Sequence, residues 1–232
     1  MFGELGSLNT LHKVTKFFKN FKNKKFTKII YCPPSTLIRP MSKKLKDSGI
    51  DVGGQNCHEN ENPGPFTGFI NCKMLKSVGA KYVIIGHSEN RKTGENNKLI
   101  NLKIKSALKS GLKIIFCIGE TLQEKRKKIT KRILNNQIKS GLNKIKDKKN
   151  ILIAYEPIWS IGSGLIPKSN ELLDTINFIK SNNKNYKVLY GGSVSTKNIL
   201  QLRLIDNIDG FLIGGASQDS KKFIDIIKKS YN

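Results

Sequence analysis

The sequence predicts an α/β fold in which parallel strands alternate with helical crossovers. Three observations point there. Seven short apolar runs are bounded by turn residues, the segments between them carry apolar residues at helical spacing, and no Pro/Gly/Ser-rich linker interrupts the alternation. The 232 residues, 38 % of them hydrophobic, suffice for one domain spanning 1–232.

The chain opens on a helical pattern, with Leu5, Leu8, Leu11, Val14, Phe17 and Phe21 recurring every three or four residues on one face. The runs 28–32, 50–53, 82–86, 113–118, 151–155, 187–190 and 210–213 then read as strands buried on both faces, because each is short and β-branched or aromatic. Between the fourth and fifth runs, the Lys-rich stretch 124–149 reads as a solvated helix or helix pair, and 219–230 closes the chain as a helix. Eight helical segments thus face seven strands. A closed (β/α)8 barrel would need one further strand in front, and an open doubly wound sheet is the other solution.

Charge and cysteine usage exclude several classes. Against 42 basic side chains stand 17 acidic ones, a net charge of +25. Only Arg39, Arg91, Arg126, Arg132 and Arg203 are arginines, and lysine is a poor bidentate reader of base edges, so no specific nucleic-acid partner is expected. The abundance of Lys, Ile and Asn, all with A/T-rich codons, accounts for the charge by composition bias; a basic surface holding acidic metabolites or RNA is the alternative. Cys32, Cys57, Cys72 and Cys117 form no Cys-x-x-Cys pair, which fits neither a zinc ribbon nor a stapled secreted scaffold. With no long apolar run and no signal-peptide pattern, the expectation is a cytoplasmic protein without a membrane partner.

In a parallel barrel, chemistry sits where strands end. After 82–86 comes His87, followed by Ser88 and Glu89 at a helix start, where an imidazole is held neutral and can donate a hydrogen bond. The run 151–155 ends in Glu156-Pro157, followed by Trp159 and the glycines Gly162 and Gly164: a carboxylate beneath an apolar flap that removes water and raises its basicity. The last two runs lead into Gly191-Gly192-Ser193 and Gly214-Gly215, whose backbone N–H groups can approach an anion closely. A base, a neutral electrophile and a phosphate grip, with no metal-ligand cluster and no dinucleotide fingerprint, suggest proton transfer next to the carbonyl of a small sugar phosphate. No cofactor is called for.

The segments Tyr82–Glu89, Tyr155–Gly164, Tyr190–Val194 and Gly210–Ser217, in this order, resemble the triose-phosphate isomerase family over essentially the whole chain. The resemblance implies a (β/α)8 TIM barrel that interconverts dihydroxyacetone phosphate and glyceraldehyde 3-phosphate in glycolysis and gluconeogenesis. It implies catalytic roles for Glu156 and His87 and a supporting one for Glu89. It implies phosphate contacts from Gly162, Ser193, Gly214 and Gly215, and a closing lid at 157–167. It also implies a homodimer through Gln55-Asn56 and the loop around Phe66 and Thr67.

The family's first strand ends in an Asn-x-Lys-Met-Asn-Gly motif, of which Met1-Phe2-Gly3 matches only the tail. The expectation is a barrel lacking its first strand and the motif's lysine, with an upstream start encoding both. A truncated, catalytically impaired barrel that only binds phosphate or RNA is the alternative. Asn90, Phe69 and Leu165-Ile166-Pro167 stand where the family carries Arg, Glu and Lys-Thr-Ala.

Overall fold

Strands built from runs such as Tyr82-Val83-Ile84-Ile85 have apolar residues on both faces, so they are stable only with cover on both sides. The computed structural model of the chain, which describes residues 3–182 and 185–231, supplies that cover. Seven parallel strands lie side by side in sequence order: β1 (Ile30–Tyr31), β2 (Asp51–Gly54), β3 (Tyr82–Ile85), β4 (Lys113–Ile118), β5 (Ile151–Tyr155), β6 (Lys187–Tyr190) and β7 (Gly210–Phe211). Helices on the outer face connect them, as expected of a TIM-barrel fold. Among the described residues no strand lies between β1 and β7, each of which pairs with a single neighbour. Met1 and Phe2 of the partial motif lie outside the described residues.

The two-residue period of the strands sorts their side chains. Tyr82 and Ile84, Ile115 and Cys117, and Ala154 form an inner cluster, joined at its margins by Ile30, Leu152, Leu189 and Leu212. Val83, Ile85, Ile114, Phe116, Ile118 and Ile153 point the other way, into the larger core shared with the helices. The register Ile114↔Ile151 through Ile118↔Tyr155 keeps the two faces consistent between β4 and β5. Glu156 follows Leu152 and Ala154 on the inner face by the same period.

The helices follow the predicted apolar spacing with local differences. The opening segment is a 3-10 turn (Leu5–Thr10) running into α1 (Leu11–Lys19), which buries Leu11, Val14 and Phe18. Leu5, expected on the buried face, is 72 % exposed; it stands at the first residue of the 3-10 turn, where Leu8 is the buried residue. The 124–149 stretch resolves into a pair, α6 (Leu122–Arg126) and α7 (Thr130–Gly141), with a capping box between Thr121 and Glu124 at the first N-terminus. The β3–β4 connection is likewise split, into α4 (Ser88–Lys92) and α5 (Asn97–Lys109), so ten α-helices stand among the described residues where eight helical segments were expected. The closing helix, α10, spans Ser220–Lys229 with Asp219 as its cap.

Candidate active site

Two strand ends meet at the mouth of the sheet. Gly86 leaves β3 with φ +79°, a left-handed conformation in which a side chain would be strained, and this turn lets His87 break the strand's alternation and cap α4. The His87 Nδ1 accepts the Glu89 backbone N–H at 3.3 Å, so the proton of the neutral ring sits on Nε2. That Nε2 lies 3.4 Å from Oε1 of Glu156. Burial holds the His87 imidazole below the ordinary histidine range, opposed by the charge of Glu89, so the ring is neutral at physiological pH.

Glu156 continues from β5 with its backbone N–H bonded to Ile118 O at 2.8 Å, and its side chain is 3 % exposed. Two glycines make the space: a Cβ at Gly119 would fall 1.8 Å from the Glu156 carbonyl oxygen, and one at Gly191 would fall 2.8 Å from its Cγ. Burial pushes the Glu156 carboxyl up to about 8, against the lowering effects of Cys117, the Ser88 backbone N–H and Arg91. A desolvated carboxylate beside a neutral imidazole is thus assembled by strand ends 69 residues apart in sequence numbering, 156 − 87.

Above this pair lies the 157–167 loop. Its first turn, Ile158–Ser160, is 3-10, and Trp159 Nε1 donates to Glu120 Oε1 at 2.9 Å while the Lys125 ammonium sits 4.0 Å from the indole ring centroid. Ser160 Oγ donates to Leu165 O at 2.6 Å and lies 3.1 Å from the Tyr190 hydroxyl. Ser193 donates through Oγ to Ser160 O at 2.6 Å and accepts the Gly164 N–H at 3.1 Å, so it latches the loop to the end of β6. Gly162 has φ +69°, and Cβ atoms at Gly162, Gly214 and Gly215 would meet no protein atom within 4 Å, which leaves these backbones open to a ligand. The pair Gly214-Gly215 enters a 3-10 turn (Gly215–Gln218) rather than directly an α-helix.

Of the residues singled out in the sequence, the structure brings His87 and Glu156 together, ties Ser193 to the 157–167 loop, and leaves Glu89 exposed on α4. Sequence reasoning missed two charged side chains. Glu120, 1 % exposed, sits two residues past β4 and takes hydrogen bonds from Trp159 and from the Tyr155 hydroxyl at 3.2 Å; burial raises its carboxyl. Its position just beyond a strand end was the available signal. Arg91 turns back from α4 toward the strand ends, which no local pattern announces. Cys117 is fully buried in the inner cluster.

On the β2 side, Asn56 Nδ2 donates to Glu95 Oε1 at 2.7 Å, and the Lys103 ammonium binds both Glu95 and Asn56. This buried group fixes the base of the loop carrying Phe66, Thr67 and Phe69, whose two aromatic rings pack on His58 at 4.5 and 4.9 Å.

A parallel barrel with a buried carboxylate, a neutral imidazole and glycine-rich strand ends fits the class of intramolecular isomerases that move protons within one substrate without an external oxidant or reductant. The sequence matches the family described as triosephosphate isomerase over residues 1–230. It is 42 % identical over 205 residues to the triosephosphate isomerase of Thermodesulfovibrio yellowstonii, covering 84 % of this chain and 83 % of that one. With the enzyme from the Wolbachia of Brugia malayi it shares 42 % over 203 residues, 88 % of this chain and 84 % of that one. The crystal structure of triosephosphate isomerase from Bartonella henselae superposes with a TM-score of 0.89 at 32 % identity, over 100 % of this chain and 96 % of that chain. The chain belongs to the triosephosphate isomerase family.

Proposed function

We propose that the chain interconverts dihydroxyacetone phosphate and glyceraldehyde 3-phosphate through an enediolate, with Glu156 as the base and His87 as the neutral acid. The carrying observation is the 3.4 Å approach of His87 Nε2 to Glu156 Oε1 at the buried mouth of the sheet. Glu156 removes the proton from the carbon beside the carbonyl. The His87 Nε2–H stabilises the developing oxyanion, and the ring passes protons between the two oxygens before Glu156 returns its proton to the neighbouring carbon. No electron leaves the substrate, so the atoms balance without a co-reactant.

In this reading Gly162, Ser193, Gly214 and Gly215 hold the phosphate, and closure of 157–167 keeps water from the enediolate so that phosphate is not lost. Glu89 supports the pair through its N–H to His87 Nδ1. The single sheet and its shared core support one domain over 1–232. The loop of Phe66 and Thr67, with Phe66 38 % and Phe69 63 % exposed, supports a homodimer in which that loop is covered. No helix among the described residues is long and apolar enough to cross a membrane, and we place the enzyme in the cytoplasm with glycolysis.

Shortening the base tests the assignment. Glu156→Asp withdraws the carboxylate by one methylene and should cut kcat by about 100-fold or more with little change in KM. Unchanged kcat in coupled assays of both directions would remove Glu156 from this role.

A further inference from the structure

Arg91 lies four residues beyond His87, yet its side chain returns to the strand ends. Nε donates to Gly86 O at 2.7 Å, Nη2 to Cys117 O at 3.1 Å, and Nη1 to Asn97 Oδ1 at 2.8 Å. Gly86 is the residue that turns His87 out of β3, and Cys117 belongs to β4, whose next residue, Ile118, accepts the Glu156 backbone N–H at 2.8 Å. One planar guanidinium therefore ties the end of β3, the end of β4 and the first residue of α5. A lysine ammonium, a point donor on a flexible stem, cannot reproduce that fork.

We infer that Arg91 is a positioning residue of the isomerisation: by clamping the carbonyls of Gly86 and Cys117 it keeps His87 set against the Glu156 carboxylate. The inference rests on the assignment of His87 and Glu156 given above. Arg91 also acts by charge. The titratable groups facing Glu156 are His87, Glu89 and Arg91 from the β3–α4 segment and Cys117 from β4; Arg91 favours the ionised carboxylate and Glu89 opposes it.

The test is kcat and kcat/KM across pH for the wild-type chain, Arg91→Lys and Arg91→Met, with Glu156→Gln in the same assay. Arg91→Met should lower kcat by about 10- to 100-fold, the range for a slight misplacement of reacting groups, and should move the acid limb of kcat/KM to higher pH. Arg91→Lys should leave that limb in place and still lose about tenfold in kcat, since one ammonium does not bridge both carbonyls. A merely structural arginine would lower the melting temperature without moving the limb. Wild-type kcat and an unmoved limb in Arg91→Met overturn the inference; should that variant not fold, wild-type kcat in Arg91→Lys overturns it alone. Wild-type turnover in Glu156→Gln would instead overturn the parent assignment, and the clamp with it.

Discussion

Glu156→Gln should stabilise the protein, and by an amount that grows with pH. The Glu156 carboxyl is raised by burial from an ordinary 4.5 to about 8. Its proton is thus held more tightly in the folded chain than in the unfolded one. Below the unfolded value both states carry the proton and ionisation costs nothing. Between the two values only the unfolded state releases it, and stability falls as pH rises; above about 8 the folded state releases it too and the full cost stands. At about 1.4 kcal/mol per unit, the cost is about 1 kcal/mol at pH 5.5, about 3 at pH 7 and nearly 5 above pH 9. Glutamine has the same shape and does not ionise.

Urea unfolding of wild type and Glu156→Gln at those three pH values, at one protein concentration, reads the difference with all other titrations cancelling. A gain that widens from about 1 to several kcal/mol is expected. A difference that stays flat across the series would show that burial does not hold the carboxyl high, and the argument for a desolvated base would fall with it. The same shift places the acid limb of kcat/KM near pH 8 in the free enzyme.

Three further outcomes follow. Ser193→Ala removes the 2.6 Å and 3.1 Å bonds that latch 157–167 and should raise KM about three- to tenfold in steady-state assays while kcat changes little. Gly119→Ala drives a methyl to within 1.8 Å of the Glu156 carbonyl, so circular-dichroism melts should show a loss of about 1–3 kcal/mol and assays a deep loss of turnover. Phe66→Asp should shift sedimentation toward the monomer relative to the wild type, because in the proposed homodimer a carboxylate at this position would be buried without a partner; equal sedimentation of the two would count against that loop as the dimer contact.

Much of this molecule was legible because strands and their ends leave short-range marks. The runs 113–118, 151–155 and 187–190 coincide with β4, β5 and β6, each flanked by strands on both sides that hold every residue in register. The first and last runs were read longer than β1 and β7, which have two paired residues each, because an end strand has one neighbour to define it. His87 and Glu156 could be found because they stand directly after apolar runs. Glu120 stands one residue further from its run, behind Gly119, and Arg91 lies on a helix, so position marks the first only weakly and the second not at all. Their inward turn depends on carbonyls, an indole and a phenol brought by other elements, which local sequence does not reveal.

The strand order β1 to β7, each paired only with its sequence neighbours, bears on how the chain comes to be folded at all. Every ladder closes over one connecting segment, so the loop entropy of adding a strand stays nearly constant from the first ladder to the last. The sheet can grow in the order of synthesis, each new unit docking on one already made, with no need to await a distant partner. The loops at the rim, where the chemistry sits, belong to those connecting segments but lie outside the ladders themselves. Altering a rim loop therefore touches at most the two ladders beside it, and the assembly route and the catalytic surface can change independently of one another.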